Sequence, residues 1–382
     1  MKKQPLFFAV FFLFAIGLLS SCKKEEDEKP QGHNNLVDPQ VAPLILKEIN
    51  SRNFNMGFST WPYGPDLNDQ DSTYEFINNH TDIYSEHIDD RIPWSAWING
   101  TALPQAFVNN IQGRKSRKLS NRQLIVSVSL LNSGRSDLAL DYNDSVPDYD
   151  SINQNSIRIA YYKHLEYIIQ ELQPDYLVAA IEVNELRINT PNKWSQYKKL
   201  MNKVRDSLRQ NYPELPISES VTLHNWYNTP VNDSLNYLTD LRSYLNDHMD
   251  FAAISFYPFF KGLNDSADFQ QAFDFLHQQT QLSIGFVETT HLAEDLIVPG
   301  LSLNIPSSEV EQNQYLSSLL INAYRQDYEF VIWWAHRDYD ELWQTFPPEL
   351  KDLGSLWKDT GILEENGKTK LAYLTWREIL RR

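Results

Sequence analysis

The feature that most constrains this chain is an alternation. Eight short apolar runs are each followed by a stretch of helical periodicity, with no break in composition from residue 51 to the end. A short, continuous apolar run reads as a strand buried on both faces, and such strands alternating with helices build a parallel sheet. The strand runs fall at residues 54–63, 82–89, 123–131, 176–185, 216–223, 250–257, 282–288 and 328–334. The periodic stretches predict helices over 72–79, 104–111, 156–172, 193–210, 234–245, 267–280, 308–325 and 371–380, with a further one at 41–49 ahead of the first strand. An open doubly wound sheet would alternate in the same way. It would want a glycine-rich phosphate loop after its first strand, and Gly57 and Gly64 are too sparse for one. The expected fold class is therefore α/β, a single (β/α)8 barrel over residues 51–382.

The N-terminus carries a different signal. Lys2 and Lys3 precede an apolar stretch at 6–19 that is too short to span a bilayer comfortably, and LSSC follows at 19–22. This resembles a bacterial lipobox, which implies a signal peptide over 1–21, a lipid on Cys22 and a flexible tether over 22–50. Cys22 is the only cysteine, so no internal disulfide can form. The acidic run at 25–28 resembles the surface-export signal of Bacteroidota lipoproteins, although a solvated tether accounts for the charges as well. The expected location is the outer membrane, facing out, as a monomer. Fifty acidic against 34 basic residues give a net charge of -16, which argues against a nucleic-acid partner.

A barrel of this kind places its active site at the C-terminal ends of its strands. Those ends offer Trp61 and Tyr63; His87, Asp89, Arg91 and Trp94; Asn132 and Arg135; Glu182, Asn184 and Glu185. The later strands add Glu219, His224, Asn225 and Trp226; Tyr257; Glu288 and His291; and Trp333, Trp334, His336, Arg337 and Asp338. Two runs close on a glutamate, Glu185 and Glu288, and two strand-end glutamates on one rim are what a glycosidase needs. Aromatic residues make up 13% of the chain, including 10 Trp and 20 Tyr, enough to supply sugar-stacking platforms as well as a core.

Several motifs together resemble glycoside hydrolase clan A, and within it the arabinogalactan endo-β-1,4-galactanases. They are Asn184-Glu185 after strand four, SFYPF at 255–259, VETT at 287–290, a Trp on strand eight, and the closing segment from Gly361 through Gly367, Lys370 and Ala372. The resemblance implies a retaining hydrolase that cleaves a polysaccharide without a cofactor, with Glu185 as acid/base and Glu288 as nucleophile. It also implies that Asn184 bonds the sugar 2-hydroxyl and that Tyr257 holds an oxygen of the nucleophile. One of Trp333 and Trp334 would floor the subsite beside the scissile bond, since alternation turns only one of them inward. Trp61, His87, Asp89, His224, Trp226 and His336 are further candidate sugar contacts. Glu182 reads as a structural carboxylate or a subsite contact.

Two other functions stay open on the sequence. One is a surface glycan-binding lipoprotein on an inactive barrel. The other is a metal-dependent barrel enzyme acting on small sugars through His87, Asp89, His224, His291 and His336. No HxH or HExxH spacing is present, so no metal site is assigned. Loops at 133–155 and 291–306 would border an open cleft, which suits endo-action.

Overall fold

The computed structural model describes residues 43–89 and 91–382. The expected signal peptide, the lipidation site Cys22 and most of the tether lie outside the described residues. The helix expected at 41–49 is Pro43–Glu48. Ile45 and Ile49, assigned to the tether, are fully buried, so the packed chain begins earlier than residue 51.

Eleven strands follow in chain order: β1 (Asn55–Ser59), β2 (Ile83–Ile88), β3 (Gln123–Val128), β4 (Tyr176–Val178), β5 (Ile217–Ser218), β6 (Ser220–Thr222), β7 (Ala252–Phe256), β8 (Ile284–Thr289), β9 (Leu296–Val298), β10 (Leu303–Ile305) and β11 (Phe330–Trp333). Nine of them form one parallel sheet in the order β5-β4-β3-β2-β1-β11-β8-β7-β6. β5 and β6 are successive pieces of one strand, interrupted at Glu219. β5 pairs with β4 and β6 with β7, so the sheet closes into an eight-position barrel. Ile83, Ile125, Val178, Phe251, Ala253, Val287, Phe330 and Ile332 cluster in the sheet and are buried together.

The eight expected helices are all present, as Leu67–His80, Gln105–Ser116, Asn155–Leu172, Pro191–Asn211, Ser234–His248, Ser266–Gln279, Glu309–Arg325 and Leu371–Leu380. Helix Asn155–Leu172 shows why they form. Ile157, Ala160, Tyr161, His164, Leu165, Ile168, Ile169 and Leu172 recur at three- and four-residue spacing and are buried. Caps fix the starts of others: Ser308 accepts from the backbone N–H of Glu311, and Asp265 from those of Ala267 and Asp268. Sheet closure also demands a glycine at Gly57 in β1, where a Cβ would stand 2.1 Å from the carbonyl oxygen of Ile83.

Strand four differs from expectation. It pairs as β4 only to Val178, and Asn184-Glu185 opens a short helix, Asn184–Asn189, rather than closing a strand. The chain still follows strand five, with Ala179 N–H donating to Ser218 O at 2.7 Å and Val183 N–H to Ser220 O at 2.9 Å. Between these two contacts it turns through Glu182, whose φ of 54° is left-handed. Other elements carry no repeat signal in the sequence: helices Trp94–Asn99, Asp340–Gln344 and Pro348–Gly354, and the antiparallel β9–β10 hairpin within the loop expected at 291–306.

The interruption at Glu219 holds a buried ion pair. Arg205, from helix Pro191–Asn211, pairs with Glu219, and the two side chains are 1% and 0% exposed. The hydroxyls of Tyr197 and Tyr244 also donate to the carboxylate. Glu219 is thus a structural residue and not part of the rim. Arg205→Met strands this carboxylate without its cation, and urea unfolding should record a loss of about 3–5 kcal/mol.

Candidate active site

At the C-terminal rim, Glu288 lies near the end of β8, buried at 8% exposure. The hydroxyl of Tyr257, just past β7, donates to its Oε1, and the His87 ring from β2 brings Nδ1 to 3.5 Å from Oε2. Burial pushes the Glu288 carboxyl well above the usual range; Glu182 and Asp89 raise it further, while Arg135 pulls it down.

Arg135 organises the charges. Its guanidinium donates to both oxygens of Asp89, at 2.9 and 2.7 Å, and its Nε to Glu182 Oε2 at 3.2 Å. Asp89 stays below the ordinary carboxylate range: burial would raise it, but the Arg135 charge and hydrogen bonds outweigh that. The other oxygen of Glu182 accepts from Ser255 Oγ at 2.8 Å. Glu185 is partly buried, and its Oε1 accepts from Thr222 Oγ1 and from Asn225 Nδ2, the latter at 2.8 Å. Burial raises the Glu185 carboxyl, against the two donors that lower it.

Trp334 settles the orientation of the tandem tryptophans. Its ring stands edge-on to His87 at 5.2 Å and lies 5.3 Å from Trp61, which in turn meets Tyr339 at 5.8 Å. The indole N–H of Trp334 is buried without a hydrogen-bond partner among the described residues. Trp333 faces the other way, donating to Thr360 O at 3.0 Å and packing on Tyr315. His224 lies beside the rim, its ring 6.3 Å from that of Tyr257, and its Nδ1 also lacks a partner among the described residues.

Other expected contacts are spent elsewhere. Asn184 is fully buried: its amide nitrogen donates to Thr222 O, Thr222 Oγ1 and Tyr237 OH at 2.9–3.2 Å, and its oxygen accepts from Thr222 N–H at 2.8 Å. It ties the short helix to strand five, with both amide hydrogens taken up inside the protein. Trp226 is fully buried and packs on Phe275. His336 lies among Phe58, Tyr63 and Phe76. Both belong to the packing around the barrel. Of the five His and Asp candidates for a metal, His87 and Asp89 come together at 4.0 Å, and His291 instead approaches Glu311 at 3.6 Å. Arg135, Ser255, Thr222 and Asn225 join the site without having been given a role there from sequence. Arg135 sits in a loop, with a left-handed φ of 47°, and only its place just past a strand end hinted at it.

No protein-family model matches the chain, and no curated protein does. Solved structures do. A GH5_18 protein from Bifidobacterium longum subsp. longum, in complex with Manβ1-4GlcNAc, superimposes with a TM-score of 0.62 at 15% identity, covering 86% of this chain and 78% of that one. The fold is the barrel of glycoside hydrolases. The GH53 catalytic domain of Ignisphaera aggregans gives a TM-score of 0.54 at 14% identity, over 86% of this chain and 96% of its own. Xylanase 10B of Thermotoga petrophila, in complex with xylobiose, gives 0.56 at 12% identity, over 92% and 99%.

Buried histidines also set a pH dependence. Burial pushes the imidazoles of His87 and His291 down to about 4 and those of His164, His224 and His336 to about 3. In the unfolded chain each titrates near 6.5. Between those values the unfolded state binds more protons, so stability is lost as pH falls from about 6.5 towards 4. The His87 ring followed by NMR should titrate near pH 4, and urea unfolding should weaken across that window.

Proposed function

We propose that the protein is a retaining β-glycoside hydrolase, endo-acting on a polysaccharide. The observation that carries this reading is the setting of Glu288. It is a buried carboxylate held by a tyrosine hydroxyl, with further carboxyls across the rim and the unpartnered indole N–H of Trp334 alongside. In a double displacement, Glu288 attacks the anomeric carbon while a second carboxyl, about 5–5.5 Å away, protonates the departing oxygen. That second carboxyl comes from the end of strand four, where the Asn184-Glu185 motif points to Glu185. Tyr257 fixes one oxygen of the nucleophile, leaving the other to attack. Trp334, with Trp61 behind it, offers an aromatic wall against which a pyranose can stack. No step requires a cofactor. The glycoside hydrolases of like fold, some solved with β-linked sugars, support the class.

Reducing-sugar release from β-galactan, mannan, xylan and β-glucan by residues 40–382 tests the reading. One polysaccharide should be cut, and Glu288→Gln should lower the rate by at least about 1,000-fold while the fold is kept. Wild-type turnover in that variant would sink the assignment, and binding without cleavage across the panel would favour a glycan-binding protein. The product sizes separate endo from exo.

We also propose that Cys22 carries a lipid that holds the enzyme at the outer membrane, facing the polysaccharide, as a monomer. Expressed at full length in its own cells, Cys22→Ala should move the protein from the membrane fraction to the soluble one; an unchanged distribution would remove the anchor.

A further inference from the structure

We infer that Glu182, rather than Glu185, is the general acid/base that works with Glu288. The inference rests on the glycosidase reading and names the second carboxyl within it. Three observations carry it.

The first is position. Ser255 on β7 is the register partner of Glu288 on β8, so the two backbones are one strand spacing apart, about 4.8 Å. The Ser255 hydroxyl donates to Glu182 Oε1 at 2.8 Å, which places that oxygen over the strand beside the nucleophile. Glu185 is held by the neighbouring strand instead. Its Oε1 is held by Thr222, at the end of β6, and by Asn225 beyond it.

The second is charge. Apart from burial, the groups that act on Glu288 are, in order of size, Glu182, Arg135 and Asp89. Glu185 is not among them. Asp89 forms a bidentate pair with Arg135, which also reaches Glu182, so Glu182 is the partly buried carboxyl outside that pair that bears most on Glu288. A double displacement needs two carboxyls close enough to act on each other in this way.

The third is backbone. Glu182 adopts a left-handed φ of 54°, which costs a side-chain-bearing residue and is kept where function needs the side chain aimed. Its N–H is held by Ser220 Oγ at 2.8 Å, which locks the turn.

The chemistry balances. Glu288 forms a bond to the anomeric carbon as the bond to the leaving oxygen breaks, and the Glu182 proton passes to that oxygen. The carboxylate left on Glu182 is stabilised by Arg135 and Ser255. It then takes a proton from water as the water oxygen attacks the same carbon and releases Glu288.

Leaving-group kinetics test this. A dinitrophenolate leaves without protonation, so loss of the acid spares the first step on such substrates and exposes the missing base to rescue by azide. The probes are 2,4-dinitrophenyl and 4-methylumbelliferyl β-glycosides of mannose, galactose, glucose and xylose and of their β-1,4 disaccharides. Glu182→Ala should lose roughly 100-fold or more on the methylumbelliferyl substrate and far less on the dinitrophenyl one. With azide it should speed up and yield the β-glycosyl azide. Glu185→Ala should keep the wild-type ratio between the two leaving groups and form no azide product. The reverse pattern, with selectivity and azide product in Glu185→Ala and neither in Glu182→Ala, overturns the inference but leaves the glycosidase standing. If Glu182→Ala does not fold, Glu182→Gln, which keeps the bond to Ser255, gives the same comparison. Glu288→Ala separates the two levels. If it turns over like wild type, or if wild type cleaves no probe, the glycosidase reading fails and this inference with it.

Discussion

The structure depends on the closure of a parallel sheet. A parallel strand buried on both faces has no solvent-facing side on which to leave its backbone groups unpaired, so the ring must close or bury an open edge. Here it closes through a strand in two pieces, β5 hydrogen-bonded to β4 and β6 to β7. The break between them falls at Glu219, whose charge is taken up by Arg205 and two tyrosine hydroxyls. Closure also decides the location of chemistry, because eight strands that end on one rim bring residues distant in sequence within hydrogen-bond reach. Ser255 and Glu182 are 73 positions apart, and Tyr257 and Glu288 are 31.

On that rim the protein gathers more negative charge than a buried site can hold without compensation. Asp89, Glu182, Glu185 and Glu288 are answered by Arg135, by the hydroxyls of Tyr257, Thr222 and Ser255 and by the Asn225 amide. Hydroxyl and amide donors stabilise a carboxylate without adding a charge.

Much of this was legible in the sequence, and the failures have physical reasons. The alternation of apolar runs and periodic helices gave all eight barrel positions, because burial on two faces leaves a strand no polar alternative. Glu288 and Tyr257 stood out because each closes such a run. The end of strand four was misread because the chain past Val178 keeps hydrogen-bonding to strand five, through Ala179 and Val183, so apolar character continues past the last paired residue. The turn within that segment uses a left-handed glutamate, and unlike a glycine a glutamate carries no sign of its φ. Asn184 looked like a sugar ligand because a polar residue at a strand end resembles a functional one. Its amide instead ties Thr222 and Tyr237 in the interior. Trp226 and His336 failed for a similar reason: an aromatic that floors a sugar site and one that fills the barrel wall are the same residue in composition, and only packing tells them apart.

The left-handed turn at Glu182 has an evolutionary reading. Holding a side chain there costs on the order of 1–2 kcal/mol, and glycine, which has no Cβ, adopts the same backbone at little cost. Selection for stability alone pushes position 182 towards glycine or asparagine, and the glutamate persists only while something else demands its carboxyl. Position 182 thus works as a recorder. Among barrels descended from a common ancestor with this one, a relaxed residue at that turn would mark lineages that gave up the reaction and kept the scaffold, before the rest of the rim had drifted.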